Sequence, residues 1–140
     1  MEKMLEALRE HGYKLTPQRR AVLQAMHGCA KFPTAQQILT EVRKEMPEIS
    51  FDTVYRTLTL FTKLGITHEV YRPSGMVYEL AEGHHHHHLV CTECGRTECL
   101  DVCPVSEAYL EEAKKKGFQI TGHVFEFFGL CKDCQKKRNR

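Results

Sequence analysis

Two Cys-x-x-Cys turns, Cys91-Thr-Glu-Cys94 and Cys131-Lys-Asp-Cys134, frame the last third of this 140-residue chain and limit its fold more than any other feature. Each turn aims two thiolates at one point, and two such turns complete the tetrahedron that zinc prefers. A redox motif would need one such turn beside a βαβ unit, not two at opposite ends of a small module. The spacing therefore predicts a structural zinc on Cys91, Cys94, Cys131 and Cys134. A zinc of this kind supplies on the order of 10 kcal/mol of folding free energy, which a module this small needs as a staple. Residues 84–140 hold six of the seven cysteines and six of the nine histidines. That shift in composition predicts two domains, 1–82 and 83–140, with the boundary near Ala81-Glu82-Gly83.

The seven cysteines are an odd number, so a full disulfide framework would leave one thiol over and metal is the better reading. A content of 41% hydrophobic and 27% charged residues is globular rather than disordered. No apolar run approaches the roughly 18 residues needed to span a bilayer. The opening MEKMLEALRE is charged and amphipathic and lacks a signal-peptide core. The expectation is a cytoplasmic protein with no membrane partner. A net charge of +2 excludes a basic-tail nucleic-acid binder, so any nucleic-acid contact must use a few well-placed cations.

The first module reads as four helices and a hairpin. Met4, Leu5 and Leu8 share one face of a helix over 2–11 that Gly12 ends. Thr16 caps and Pro17 opens the next helix, whose buried stripe is Ala21, Val22, Ala25 and Met26. Thr34-Ala-Gln-Gln37 is a capping box opening Ala35–Lys44, and Ser50 caps a helix with Val54, Leu58 and Phe61 inward. Thr67–Tyr71 and Met76–Leu80 alternate about the turn Arg-Pro-Ser-Gly, which gives a hairpin. Helices closed by a hairpin make a winged helix-turn-helix. The second module reads as a strand at Leu89–Cys91, a helix over Val105–Lys116, one or two strands over Phe118–Leu130 and a frayed basic tail from Lys136 to Arg140. The fold class is α+β in two small domains.

His84 to His88 lie internally, unlike an expression tag. In an extended segment His84, His86 and His88 face one way and His85 and His87 the other, so one run can feed two sites. Imidazole suits zinc, iron, nickel and copper. Glu79, Cys99, Cys103 and His123 are further candidate ligands. Cys99 and Cys103 stand four apart, too wide for a Cys-x-x-Cys turn, and thiolates there favour zinc. In the helix after Ser50, Thr53, Tyr55, Arg56 and Thr59 lie off the apolar stripe. Arg can take guanine bidentately, and Tyr can bond a phosphate or pack on a thymine methyl. Lys14, Arg19 and Arg20 flank the capped start of the second helix, where N–H groups also point toward phosphate.

Four segments together resemble the ferric-uptake-regulator (Fur) family of bacterial metal-dependent repressors: Gly12-Tyr-Lys-Leu-Thr-Pro-Gln-Arg19, Asp52-Thr-Val-Tyr-Arg56, the His run leading into Leu-Val-Cys91-Thr-Glu-Cys-Gly95, and Gly129-Leu-Cys-Lys-Asp-Cys134. The resemblance implies an N-terminal winged-helix domain, a C-terminal α/β dimerisation domain and a hinge sensor between them. It implies sensor ligands at Glu79, His86 and His88, and a further site at His85, His87 and His123. Many iron- and peroxide-sensing members carry a His just before the third helix, where this chain has Lys31-Phe32-Pro33. Many also carry Asp or Glu five residues after the second knuckle cysteine, where this chain has Cys99. His68 resembles an extra ligand of some zinc sensors. The expected sensor set is Glu79, His86, His88, Cys99 and His68.

The resulting expectation is a non-enzymatic, homodimeric repressor that binds a palindromic double-stranded operator when zinc fills the hinge. The regulatory metal is zinc or, in the alternative of an iron- or peroxide-sensing member, ferrous iron. A zinc storage or delivery protein would explain the Cys and His but not Tyr55-Arg56. A zinc hydrolase would need an open zinc position and a general base, and the chain has no HExxH.

Overall fold

Three of the four N-terminal helices begin where a hydroxyl side chain accepts a hydrogen bond from the first turn. In the computed structural model, which describes residues 1–29, 31–81, 87–120, 122–123 and 125–139, these helices are α1 (Glu2–Glu10), α2 (Pro17–Gly28), α3 (Ala35–Val42) and α4 (Phe51–Lys63). Thr16 accepts from the Arg19 amide at 3.2 Å, and Ser50 from the Thr53 amide at 3.1 Å. Thr34 and Gln37 exchange both bonds of a capping box, at 2.9 and 3.1 Å. Such caps contribute about 1 kcal/mol each. Gly65, at φ 75°, lets the chain leave α4 and turn directly into the hairpin of β1 (Thr67–Arg72) and β2 (Gly75–Leu80).

The N-terminal unit, Met1–Gly83, has one core. Leu8, Val22, Leu23, Ile38, Val54, Leu58 and Phe61 have no side chain exposed, and Tyr78 of β2 joins them at 1%. Each of the large ones adds about 1.5–3 kcal/mol by leaving water. The hairpin is anchored at both ends of its reach. The Tyr78 amide donates to the Pro33 carbonyl at 2.8 Å, and the Ala81 amide to the Ile66 carbonyl at 2.9 Å.

The C-terminal unit, His84–Arg140, is built differently. Its sheet has the order β4 (Thr97–Leu100), β3 (His87–Cys91), β5 (Glu126–Gly129). β3 pairs antiparallel with β4 and parallel with β5, and α5 (Glu107–Lys115) lies in the long connection that a parallel pair requires. Its buried apolar residues among those described are Val90, Cys91 and Cys134, and α5 buries none. Two expectations are corrected here, and one element is new. β4 was not anticipated. The apolar run from Phe118 is a strand only over Glu126–Gly129. The basic tail is not frayed: α6 (Lys132–Arg138) starts inside the second Cys-x-x-Cys turn. Its Lys136, Lys137 and Arg138 suit the negative end of the helix, and Arg138 ion-pairs with Glu93 inside the first turn. His87 and His88 belong to β3, while His84, His85 and His86 lie outside the described residues. No helix among the described residues is long and apolar enough to cross a membrane.

Candidate metal centres and nucleic-acid face

The four knuckle cysteines converge. One sulfur from each of Cys91, Cys94, Cys131 and Cys134 lies within 4.8 Å of the others, and Cys94 Sγ is 3.7 Å from Cys131 Sγ. A zinc–sulfur bond of about 2.3 Å gives a tetrahedron with an edge of about 3.8 Å, which the Cys94–Cys131 separation matches. Backbone amides prepare the thiolates. The N–H of Cys94, then that of Cys131, hold the Cys91 thiol down to about 6. The Cys134 amide lowers Cys131 in the same way. Cys134 is pushed up to about 12, chiefly because its thiol hydrogen-bonds to Cys131. Zinc binding to these sulfurs releases whatever thiol protons remain.

A second cluster lies wholly within the C-terminal unit. His87, Cys103 and His123 each bring one donor atom within 4.8 Å of the others. His87 Nε2 stands 3.4 Å from His123 Nε2, which stands 3.4 Å from Cys103 Sγ. His87 is 4% exposed, and its Nδ1–H donates to the Phe125 carbonyl at 3.0 Å. The expectation for this region named His85, His87 and His123, of which His85 lies outside the described residues. The expected sensor residues fall into a pair in each unit. In the C-terminal unit, His88 of β3 is the direct cross-strand partner of Cys99 of β4. In the N-terminal unit, His68 of β1 is the direct partner of Glu79 of β2. Direct partners share a face, with Cβ atoms about 4.5–5.5 Å apart. Glu79 and His88 are buried, at 7% and 4% exposure. His86 lies outside the described residues.

Phe32 lies in the Lys31-Phe32-Pro33 stretch, before α3, where the resemblance would put a histidine. The Arg72 guanidinium lies 4.8 Å from its ring centroid and the Lys31 ammonium 5.4 Å. The ring is thus bound into a cation–π contact with the end of the hairpin.

The capped α4 presents Tyr55 and Arg56 outward. Tyr55 stacks on Phe51 at 5.9 Å, both of them over 40% exposed. Arg56 pairs with Asp52 at 3.0 Å. So exposed an ion pair is worth little, and it presents the guanidinium without committing it. Thr53 is half-buried and accepts a 2.9 Å bond from the Ser50 hydroxyl, so it completes the cap. Thr59 donates back to the Tyr55 carbonyl at 3.0 Å. Arg19 has a bracing role that the sequence did not reveal. It donates to the Lys14 carbonyl at 2.6 Å and stacks over Tyr13 at 5.4 Å, fixing the loop that carries exposed Lys14.

Comparison with known proteins places these features. Residues 10–128 match the profile of the Ferric uptake regulator family. The peroxide-responsive repressor PerR of Staphylococcus saprophyticus is 33% identical over 138 residues, or 98% of this chain and 93% of that protein. The solved structure of the ferric uptake regulator Fur from Helicobacter pylori, described as having three functional metal binding sites, matches with a TM-score of 0.68 at 26% identity over 96% of this chain and 93% of that one. A zinc uptake regulator complexed with zinc and DNA matches at 0.66 and 27% identity over 99% and 97%. This chain belongs to the ferric uptake regulator family of metal-dependent transcriptional repressors.

Proposed function

We propose that this protein is a zinc-responsive repressor, which binds a palindromic operator as a homodimer when a hinge site of Glu79, His86, His88 and Cys99, with His68 beside it, holds its metal. The observation that carries the reading is the cross-strand pairing of buried His88 with Cys99. A thiolate beside an imidazole favours zinc over iron or manganese. The Lys31-Phe32-Pro33 stretch, whose Phe32 is engaged by Arg72, lacks the histidine that an iron site would use. The zinc- and DNA-bound regulator among the structural relatives supports the same assignment. The bound ion would supply a tie between ligands from both units. Regulation then requires only that the DNA-competent arrangement hold the ion more tightly than the other does, and coupling of about 1–3 kcal/mol is typical.

Homodimerisation is supported by the apolar surface of the C-terminal unit. Tyr109, Leu110, Phe118, Phe127 and Phe128 are each more than 40% exposed. Leu89, Phe127 and Phe128 also line an open groove of about 390 Å³. An exposed apolar groove of this kind suits an interface. Its occupant in this reading is a second copy, because a palindrome needs two-fold related α4 helices.

A peroxide- or iron-responsive regulator is the second reading, favoured by the names of the Staphylococcus relatives. An operator titration at buffered free zinc, ferrous iron and manganese separates the two, with wild type, His86→Ala and Cys99→Ser compared. Zinc activates wild type at the lowest free concentration. His86→Ala keeps the four-cysteine zinc and loses metal-dependent binding. Cys99→Ser needs at least about tenfold more zinc, the scale on which losing a supporting group weakens a metal site. Activation of wild type by iron or manganese but not zinc would reverse the assignment.

A further inference from the structure

We propose that Asp52 is a positioning residue for base selection: it sets the Arg56 guanidinium end-on for guanine and keeps it off the phosphates. The inference rests on the reading of α4 as the helix that enters the major groove, and it concerns which base is selected there. Arg56 Nε lies 3.0 Å from Asp52 Oδ2, one helical turn away, and both side chains are open to solvent at 80% and 69% exposure. A guanidinium carries five N–H donors in a rigid fork. Nη1 and Nη2 form the far end of that fork, and they are the donors that meet O6 and N7 of one guanine.

A carboxylate on such a face calls for a reason. Every duplex presents phosphates, and an anion on the surface that meets them weakens binding to all sequences alike. With a net charge of only +2, the chain has little overall attraction to offset it. Helix stability is a small reason, since an i,i+4 pair shifts a helix equilibrium by about twofold. α4 is already capped by Ser50 and buried through Val54, Leu58 and Phe61. What Asp52 changes is the choice open to Arg56. An unpaired arginine neutralises whichever phosphate lies nearest, and that contact carries no sequence information. Asp52 repels the phosphate and anchors the fork at Nε. Where the groove excludes water, the pair strengthens.

The neighbouring row of the helix has the same design. Phe51 stacks on Tyr55, one turn away, with centroids 5.9 Å apart and the planes 20° from parallel. The first turn of α4 thus braces the second along two adjacent rows. Both outward reading groups are held before DNA arrives, which lowers the ordering cost of the contact.

The probe is a randomised duplex library, selected with full-length protein loaded with zinc and, in parallel, with manganese, so that the identity of the metal is not at issue. Wild type selects a site with a guanine in each half, and Arg56→Ala loses that preference. Asp52→Asn lowers the preference for guanine at that position at least about fivefold. Its affinity for unselected duplex stays level or rises. Its salt dependence steepens by up to about two ions per dimer as each released Arg56 takes a phosphate. Asp52→Glu, which keeps a carboxylate one turn from Arg56, restores the guanine preference. In an Arg56→Ala background, Asp52→Asn leaves the salt dependence unchanged. A merely structural role would lower affinity for every duplex together and leave base preference and salt dependence alone. That result, or an unchanged guanine preference in Asp52→Asn, would overturn this inference alone. A wild type that selects no site, or a site indifferent to Arg56, would overturn it together with the groove-reading role of α4.

Discussion

The Tyr78 hydroxyl is buried with no hydrogen-bond partner among the described residues, in a ring only 1% exposed. A buried unpaired hydroxyl costs about 1–3 kcal/mol. Tyr78→Phe keeps the packing and removes that group, so it should raise stability by about 1 kcal/mol. Burial, reinforced by Glu69, Tyr55 and Tyr71, pushes the phenol up from 10.0 to about 12. The unfolded chain loses this proton at lower pH than the folded one. Tyr78 therefore destabilises the fold as pH rises from 10 toward 12, by an amount on the order of 1–3 kcal/mol. Urea unfolding at neutral and alkaline pH should show a steeper decline for wild type than for Tyr78→Phe, and parallel declines would refute the argument. Arg56 supplies the second residue-scale prediction. Its side chain is 80% exposed and ion-paired with Asp52, so Arg56→Ala should leave fold and zinc content intact. Each lost bidentate base contact costs about 1–3 kcal/mol, and a dimer loses two. Undiminished operator affinity at matched salt would show that α4 does not enter the groove.

In the proposed zinc staple, the four-cysteine knuckle would hold the C-terminal sheet together, because it joins the β3–β4 turn to the start of α6. Cys94→Ser removes one corner of the tetrahedron, leaving Cys131 without the sulfur 3.7 Å away. It should lose about one zinc per chain, along with the far-UV strand signal and the dimer peak in size exclusion. A zinc-replete dimeric variant would contradict the staple. Elements whose cause is local were readable in advance: the caps at Thr16, Thr34 and Ser50 and the apolar stripe of α4 each lie within a few residues. β4 was not, since Thr97-Glu-Cys-Leu100 has neither alternation nor β-branched density. It is a strand because it pairs with β3, from His87↔Leu100 to Val90↔Thr97. α6 was missed because its first turn is also the second Cys-x-x-Cys turn. The convergence of the knuckle cysteines was legible from spacing, whereas Cys103 meets His123 across 19 residues of intervening chain that no motif spans.

At the scale of the whole molecule, each unit holds its own pair of candidate sensor residues, Glu79 with His68 and His88 with Cys99. In the proposed mechanism, one ion takes ligands from both pairs. The choice of metal is then set by few positions. Cys99 supplies the soft donor, and Phe32 spends its ring on Arg72 where a histidine would offer nitrogen. Restoring the iron-type pattern with Phe32→His and Cys99→Glu should move the metal response. A carboxylate and an added imidazole raise the donor count and harden the set, which suits ferrous iron and manganese rather than tetrahedral zinc. The ratio of free zinc to free manganese needed for half-maximal operator binding should rise by at least about tenfold, a differential of about 1.4 kcal/mol between the two ions. Phe32→His alone also breaks the cation–π contact, worth about 0.5–1 kcal/mol at an exposed site. Phe32→Leu therefore serves as the control that loses the contact without gaining a ligand. A shift in Phe32→Leu equal to that in the double variant would assign the effect to the hairpin contact, and no shift in either would place metal selection outside Phe32 and Cys99.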